Sequence, residues 1–160
     1  SWNCQPLYER IIAPLRGISG QRVLVIGCGL GTEADAMADL NSVDVFELPG
    51  ALKDFAMRRL GRRVDWLHGA TLADVVDEDT YGEYDLIVAI DTLEHVHPSE
   101  IKSVLSSMML MLGAKGSLYC HNNFEQQELY PMHYDHSEVF AAWCAECGLK
   151  QENEYLWVSN

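Results

Sequence analysis

The most constraining feature of this 160-residue chain is an apolar run at residues 23–26 (Val-Leu-Val-Ile) that breaks into Gly27-Cys28-Gly29-Leu30-Gly31 and then into a helical pattern at Thr32. Three glycines in five residues let the backbone turn tightly and let a ligand come close to it. A strand that feeds such a turn and then a helix is half of a βαβ unit, so the chain must return to a parallel strand. It does so repeatedly. Residues 32–40 read as a helix that Thr32 can cap, 43–47 as a strand, 51–60 as a helix stopped by Gly61, and 64–67 as a third strand. Residues 72–81 form a short helix or turn before a fourth strand at 85–90, apolar on both faces as buried parallel strands are. Then come the clearest helix (99–112, with Gly113 at its end), a fifth strand (117–120), a helix (137–147) and a last strand (155–158). A leading helix over 6–15 turns Leu7, Ile11 and Ile12 inward. The expectation is one α/β domain over residues 1–160: a doubly wound, mostly parallel sheet with helices on both faces.

Charge and cysteine usage narrow the function classes. The formal net charge is −13, and residues 65–101 carry Asp65, Asp74, Asp77, Glu78, Asp79, Glu83, Asp85, Asp91, Glu94 and Glu100 with no Lys or Arg. Binding to a nucleic-acid duplex rests on Lys and Arg displacing counterions, so a duplex is not an expected partner. The one basic cluster, Arg58, Arg59, Arg62 and Arg63, reads as the solvated end of a helix, where cations suit the dipole. No apolar run approaches the roughly 18–20 residues that span a bilayer, and no signal pattern opens the chain. Five cysteines, an odd count, fit reduced thiols and a cytoplasmic setting. Cys144 and Cys147 lie on the apolar stripe of a helix and read as buried thiols. Since the chain starts at Ser1 and not at Met, it is also read as a domain that can belong to a longer polypeptide.

Glu47 stands 20 positions after Gly27, at the end of the second strand. A carboxylate there can accept both hydroxyls of a ribose, which with the glycine turn points to a nucleoside-bearing cofactor at the carboxyl edge of the sheet. A dinucleotide fingerprint needs a third glycine where this chain has Thr32, which argues against a nicotinamide enzyme.

The segments VLVIGCGLG (23–31) and YDLIVAIDTLEHV (84–96), with Glu47 between them, resemble the class I S-adenosylmethionine-dependent methyltransferases, in particular a small-molecule branch with Leu-Glu-His-Val after strand four. The resemblance extends through the helix and turn at 108–116 to the His136-to-Phe140 stretch and the Gly148-Leu149 turn, most of the chain. It implies a Rossmann-like fold, S-adenosylmethionine as cofactor, and methyl transfer to an oxygen or nitrogen of a small polar acceptor. It further implies that Gly27, Cys28, Gly29 and Gly31 line the methionine and ribose end. Glu47 holds the ribose, Leu48 flanks the adenine, and Asp91 faces the methionine part or the acceptor. Two departures stand out. The family commonly has an Asp near the adenine amino group after strand three, where this chain has His68-Gly69-Ala70-Thr71, and of the two antiparallel strands that usually close the sheet one alone is evident.

Asp91, Glu94 and His95 are spaced i, i+3, i+4, which on a helical turn projects them from one side. Two carboxylates and an imidazole can hold a divalent metal that acidifies an acceptor hydroxyl, with His136 or His133 as a further ligand. Some branches of the family resemble this arrangement, among them quinone-biosynthesis O-methyltransferases. The metal-free alternative has Glu94 capping backbone amides and His95 or His121 acting as a general base, so the candidate catalytic residues are His95, His121 and Asp91. His121, Asn122 and Asn123 follow strand five, and the loop beyond them, with Phe124, Tyr130, Pro131, Met132, His133 and Tyr134, reads as an aromatic-walled lid over the acceptor. Trp2 and Tyr8 are candidates to cover the cofactor from the leading segment. A different class of function, a cofactor-binding scaffold domain without turnover, remains the alternative.

Overall fold

Parity along the strands decides the architecture. In the computed structural model, which describes residues 6–159, alternate residues of the central strands enter two separate cores. Val23 and Val25 of β1 (Arg22–Ile26) and Leu86, Val88 and Ile90 of β4 (Tyr84–Ile90) face one core; Leu24, Ile26, Ile87 and Ala89 face the other. A sheet apolar on both sides must be covered on both sides. The first core is closed by α1 (Pro6–Ile12), α2 (Thr32–Met37) and α3 (Ala51–Leu60), through residues such as Ile11, Met37 and Leu60. The second is closed by α4 (Ile101–Met111) and α5 (Ser137–Glu146), through Leu105, Met108, Phe140 and Trp143.

The remaining strands are β2 (Ser42–Phe46), β3 (Asp65–Leu67), β5 (Leu112–His121), β6 (Leu149–Gln151) and β7 (Leu156–Ser159). Their order across the sheet is β3-β2-β1-β4-β5-β7-β6. The first five are parallel, whereas β7 runs antiparallel to both β5 and β6. The doubly wound α/β expectation is met. Winding reverses between β1 and β4, and the carboxyl ends of those strands flank the crevice where such sheets bind ligands. No helix among the described residues is long and apolar enough to cross a membrane.

Local expectations needed four corrections. Helix α2 stops at Met37, not at residue 40, and its N-cap is Gly31; the Thr32 side chain caps nothing. Thr32 Oγ1 instead accepts from Arg59 at 3.3 Å. Helix α4 passes straight into β5 at Leu112, five residues before the strand expected at 117, because Leu112 pairs with Tyr84 before the register shifts to Leu86–Ser117. The second closing strand exists: it is β6, three residues long and paired to β7, too short to show alternation. Of the four arginines on and after α3, Arg59 and Arg63 pair with Asp35 of α2, and Arg63 also with Asp39, so half of the cluster ties helix to helix. Cys144 is buried and Cys147 half-buried, and both are free thiols. Trp2 lies outside the described residues, as does the side chain of Tyr8.

Beneath the sheet's opposite edge, Tyr84 Oη donates to the buried Asp44 Oδ2 at 2.6 Å, with Arg22 3.5 Å from the same oxygen. Burial, then Asp44, pushes the Tyr84 phenol well above its ordinary range. Removing that donor leaves a buried carboxylate short of one partner. Tyr84→Phe should therefore cost about 1.5–3 kcal/mol in urea denaturation with an unchanged m-value.

Candidate active site

Where the β1–β4 ladder ends, one side chain extends the link between the two strands. Thr92 Oγ1 lies 2.9 Å from Ile90 O and 3.2 Å from Ile26 O, so its hydroxyl bridges the last carbonyls of the two strands. Its methyl group occupies the space that a side chain at residue 27 would need, and Gly27 also has φ +68°. Both conditions require glycine. Gly29, at φ +51°, has nothing within 4 Å of where a Cβ would stand, so this glycine leaves open approach to the backbone.

Glu47, half-buried just beyond β2, clamps that loop. Its Oε2 accepts the Gly29 N–H at 2.8 Å and its Oε1 accepts the Leu48 N–H at 2.9 Å. Each oxygen keeps lone-pair capacity for another donor. Cys28 contributes backbone only, since its side chain is 2% exposed and packs in the first core. Burial, followed by Glu47 and Glu33, pushes that thiol up to about 12, which leaves it inert as a nucleophile. Gly31 begins α2 at φ +81°, and Leu48 stands exposed beside Glu47, available to a flat ring.

Across the crevice, Asp91 and His121 form a pair that spacing alone did not reveal. Asp91 Oδ1 lies 2.6 Å from His121 Nδ1 and accepts from Asn123 Nδ2 at 3.2 Å, while the Asp91 N–H donates to His121 O at 2.8 Å. Asp91 adopts φ +47°, the sole positive φ among described non-glycine residues, a strain of the sort held at functional sites. The hydrogen bond to Asp91 raises the His121 pKa above its usual 6.5 against the opposing effect of burial. With Nδ1 engaged, Nε2 is the nitrogen left for a ligand.

The Asp91, Glu94, His95 trio does not converge as a helical turn would have it. The turn is a single 3-10 turn, Leu93–His95, and Asp91 points away toward His121. Glu94 is fully buried. Its Oε1 accepts the Asn123 N–H at 3.1 Å, and Asn122, with its amide nitrogen turned inward, reaches Oε2 at 3.3 Å. Desolvation raises the Glu94 pKa. His95 is exposed and stacks edge-on against His133, ring centres 4.6 Å apart. Potential ligand atoms of Glu94, His95 and His133 lie within 4.8 Å of one another, and His133 Nδ1 is buried without a hydrogen-bond partner. His136 belongs elsewhere: its Nε2 meets Val96 O at 2.8 Å and its ring packs against Phe124. The loop beyond β5 is pinned by Tyr134 N–H to Glu94 O at 2.7 Å, and Tyr130 stacks on His133, while Met132 and Leu129 stay 73% and 75% exposed.

Comparison with known proteins agrees with the fold. No family model matches the chain. The N-methyltransferase NodS from Bradyrhizobium japonicum, solved with S-adenosyl-L-homocysteine, superposes with a TM-score of 0.75 over 98% of this chain and 89% of its own, at 18% identity. The chain has the Rossmann-like α/β fold of the class I S-adenosylmethionine-dependent methyltransferases. Phosphoethanolamine N-methyltransferase 2 from Haemonchus contortus, solved with S-adenosyl-L-methionine, shares this methyltransferase fold with a TM-score of 0.67 over 90% of this chain and 37% of its own, at 18% identity. In sequence, the ubiquinone biosynthesis O-methyltransferase of Aromatoleum aromaticum is 30% identical over 119 residues, 67% of this chain and 49% of that protein. That of Pseudomonas aeruginosa is 32% identical over 104 residues, 58% and 43%. The chain thus spans about half the length of the curated relatives it matches. Sequence reasoning gave no part to Thr92, which was legible as the neighbour of Asp91, and placed Asn123 after strand five without its contacts to Asp91 and Glu94, which come only from the fold.

Asp91→Asn keeps a side chain that tolerates positive φ and removes the charge facing His121. A histidine whose folded pKa is raised contributes stability that is whole below 6.5 and fades as pH rises through the folded value. The substitution should cost about 1–2 kcal/mol near pH 6 and clearly less near pH 9. An equal cost at both pH values in urea denaturation would contradict the pairing.

Proposed function

We propose that the chain binds S-adenosylmethionine and transfers its methyl group to an oxygen or nitrogen of a small polar acceptor. The observation that carries this is the Thr92 bridge, which sets the Asp91–His121 pair beside the loop clamped by Glu47. The relatives' printed activities support the transfer, and the solved neighbours with bound cofactor or its product support the choice of cofactor.

The residues fit the cofactor. Glu47 retains acceptor capacity on both oxygens for ribose hydroxyls, the open face of Gly29 admits close approach, and Leu48 offers an apolar flank to the base. When bound, the cofactor supplies an already activated methyl group, so the protein's share is mainly alignment and proton management. An acceptor hydroxyl or ammonium must shed a proton. His121 takes it at Nε2 while Asp91 fixes the ring through Nδ1 and stabilises the imidazolium. Acidic surface and the lack of Lys and Arg around the fourth strand favour a small-molecule acceptor over a nucleic-acid duplex. The free thiols Cys28, Cys120, Cys144 and Cys147 support a cytoplasmic setting.

One observation favours a metal-assisted version: the partnerless, buried Nδ1 of His133 beside Glu94 and His95. These three residues, without Asp91 and His136, would hold a divalent ion, which supplies Lewis acidity to an acceptor hydroxyl.

Calorimetric titration with S-adenosylhomocysteine should give micromolar binding, roughly 8 kcal/mol. His121→Asn should leave that affinity within about twofold and lower turnover on a panel of small phenols and amines about 100-fold, with the wild-type rate rising with pH through the His121 titration. A folded protein that does not bind S-adenosylhomocysteine contradicts the cofactor assignment, and binding without any change of turnover in His121→Asn contradicts the base. Loss of turnover on removing divalent ions, reproduced by Glu94→Gln and His133→Ala, is the outcome the metal-assisted version requires.

A further inference from the structure

Helix α3 buries a lysine where an amphipathic helix carries an apolar side chain. Lys53 shares its inward stripe with Ala56 and Leu60 and is 6% exposed. Among the described residues its ammonium donates one hydrogen bond, to Leu67 O at 3.2 Å, and it lies 5.9 Å from the centre of the Trp66 ring. An ammonium carries three donors, and burying it with a single acceptor is costly unless other acceptors reach it.

Its location suggests what they are. Leu67 ends β3 and pairs with Phe46, the last residue of β2, and Glu47 follows immediately. The ammonium thus sits at the carboxyl edge of the sheet, one strand over from the carboxylate that clamps the glycine loop, and its charge is felt by the Cys28 thiol within that loop. No carboxylate stands at residues 68–71, and Asp74, the first acid beyond them, turns back to accept the Thr71 N–H at 2.7 Å. What distinguishes this edge is thus a buried donor, the Lys53 ammonium.

We propose that Lys53 reads the purine of the nucleoside cofactor, its ammonium donating to a lone-pair nitrogen of the adenine ring while Leu48 flanks the ring face. The assignment rests on the cofactor reading above and adds a specificity residue to it. Without ligand, Leu67 O is the resting partner of the ammonium.

Lys53→Met preserves length and restores an apolar stripe, so the ligand-free domain should be at least as stable as wild type in urea. Its affinity for S-adenosylhomocysteine, read by calorimetry, should fall about tenfold. Among the 1-deaza, 3-deaza and 7-deaza analogues of S-adenosylhomocysteine, one should bind wild type about tenfold more weakly and bind Lys53→Met as well as the parent does, since the bond it lacks is already gone. Lys53→Met binding within twofold of wild type overturns the proposal and leaves the cofactor reading intact. So does a wild-type protein indifferent to all three analogues, a result that needs no variant to fold. If folded wild type does not bind S-adenosylhomocysteine at all, the cofactor reading falls and takes this proposal with it.

Discussion

The close contact between Gly27 and Thr92 is the constraint on which the site depends. Thr92 fills the volume above Gly27 and bridges the final carbonyls of β1 and β4. Because the strand order reverses at this junction, it is also where the sheet opens a crevice. One small residue and one β-branched hydroxyl thereby set the separation between the loop proposed to receive a cofactor and the acid–imidazole pair proposed to serve an acceptor. The helices on either face supply the stiffness behind it, since two apolar cores grip the same strands from opposite sides.

Electrostatics divides the crevice into two ends. Glu47 stands at the end of β2 and Asp91 at the end of β4, and acids placed there suit a cationic sulfonium better than a phosphate. Lys53 stands apart at the end of β3, the single buried cation among the described residues. Charge therefore varies along the edge in the direction a nucleoside linked to a sulfonium amino acid would lie, with the donor beneath the base and the acids toward the reacting group.

Much of this was legible before any coordinates. The glycine turn, the apolar fourth strand and the second strand that ends at Glu47 prescribe a doubly wound parallel sheet, because each depends on local backbone demands that spacing expresses. The pairing of His121 with Asp91 was not legible. The two residues are 30 positions apart and meet because β4 and β5 are neighbours in register, Ile90 opposite His121. The Asp91 trio failed for the converse reason: a helical turn was assumed where the chain makes a 3-10 turn preceded by a positive φ, which swings the carboxylate to the next strand. Strand β6 escaped because three residues cannot display a period, and Lys53 passed unnoticed because a lysine on a helix is ordinarily solvated.

The central claim is that the clamped glycine loop is the cofactor site, and its most direct test is a backbone amide titration of the labelled protein by two-dimensional NMR with S-adenosylhomocysteine. The account predicts large, saturable shifts at Gly29 and Leu48, whose amides now donate to Glu47, with smaller ones at Gly27, Gly31 and Asp91. Saturable shifts confined to other surfaces, with the Gly29 and Leu48 amides unmoved, would contradict it.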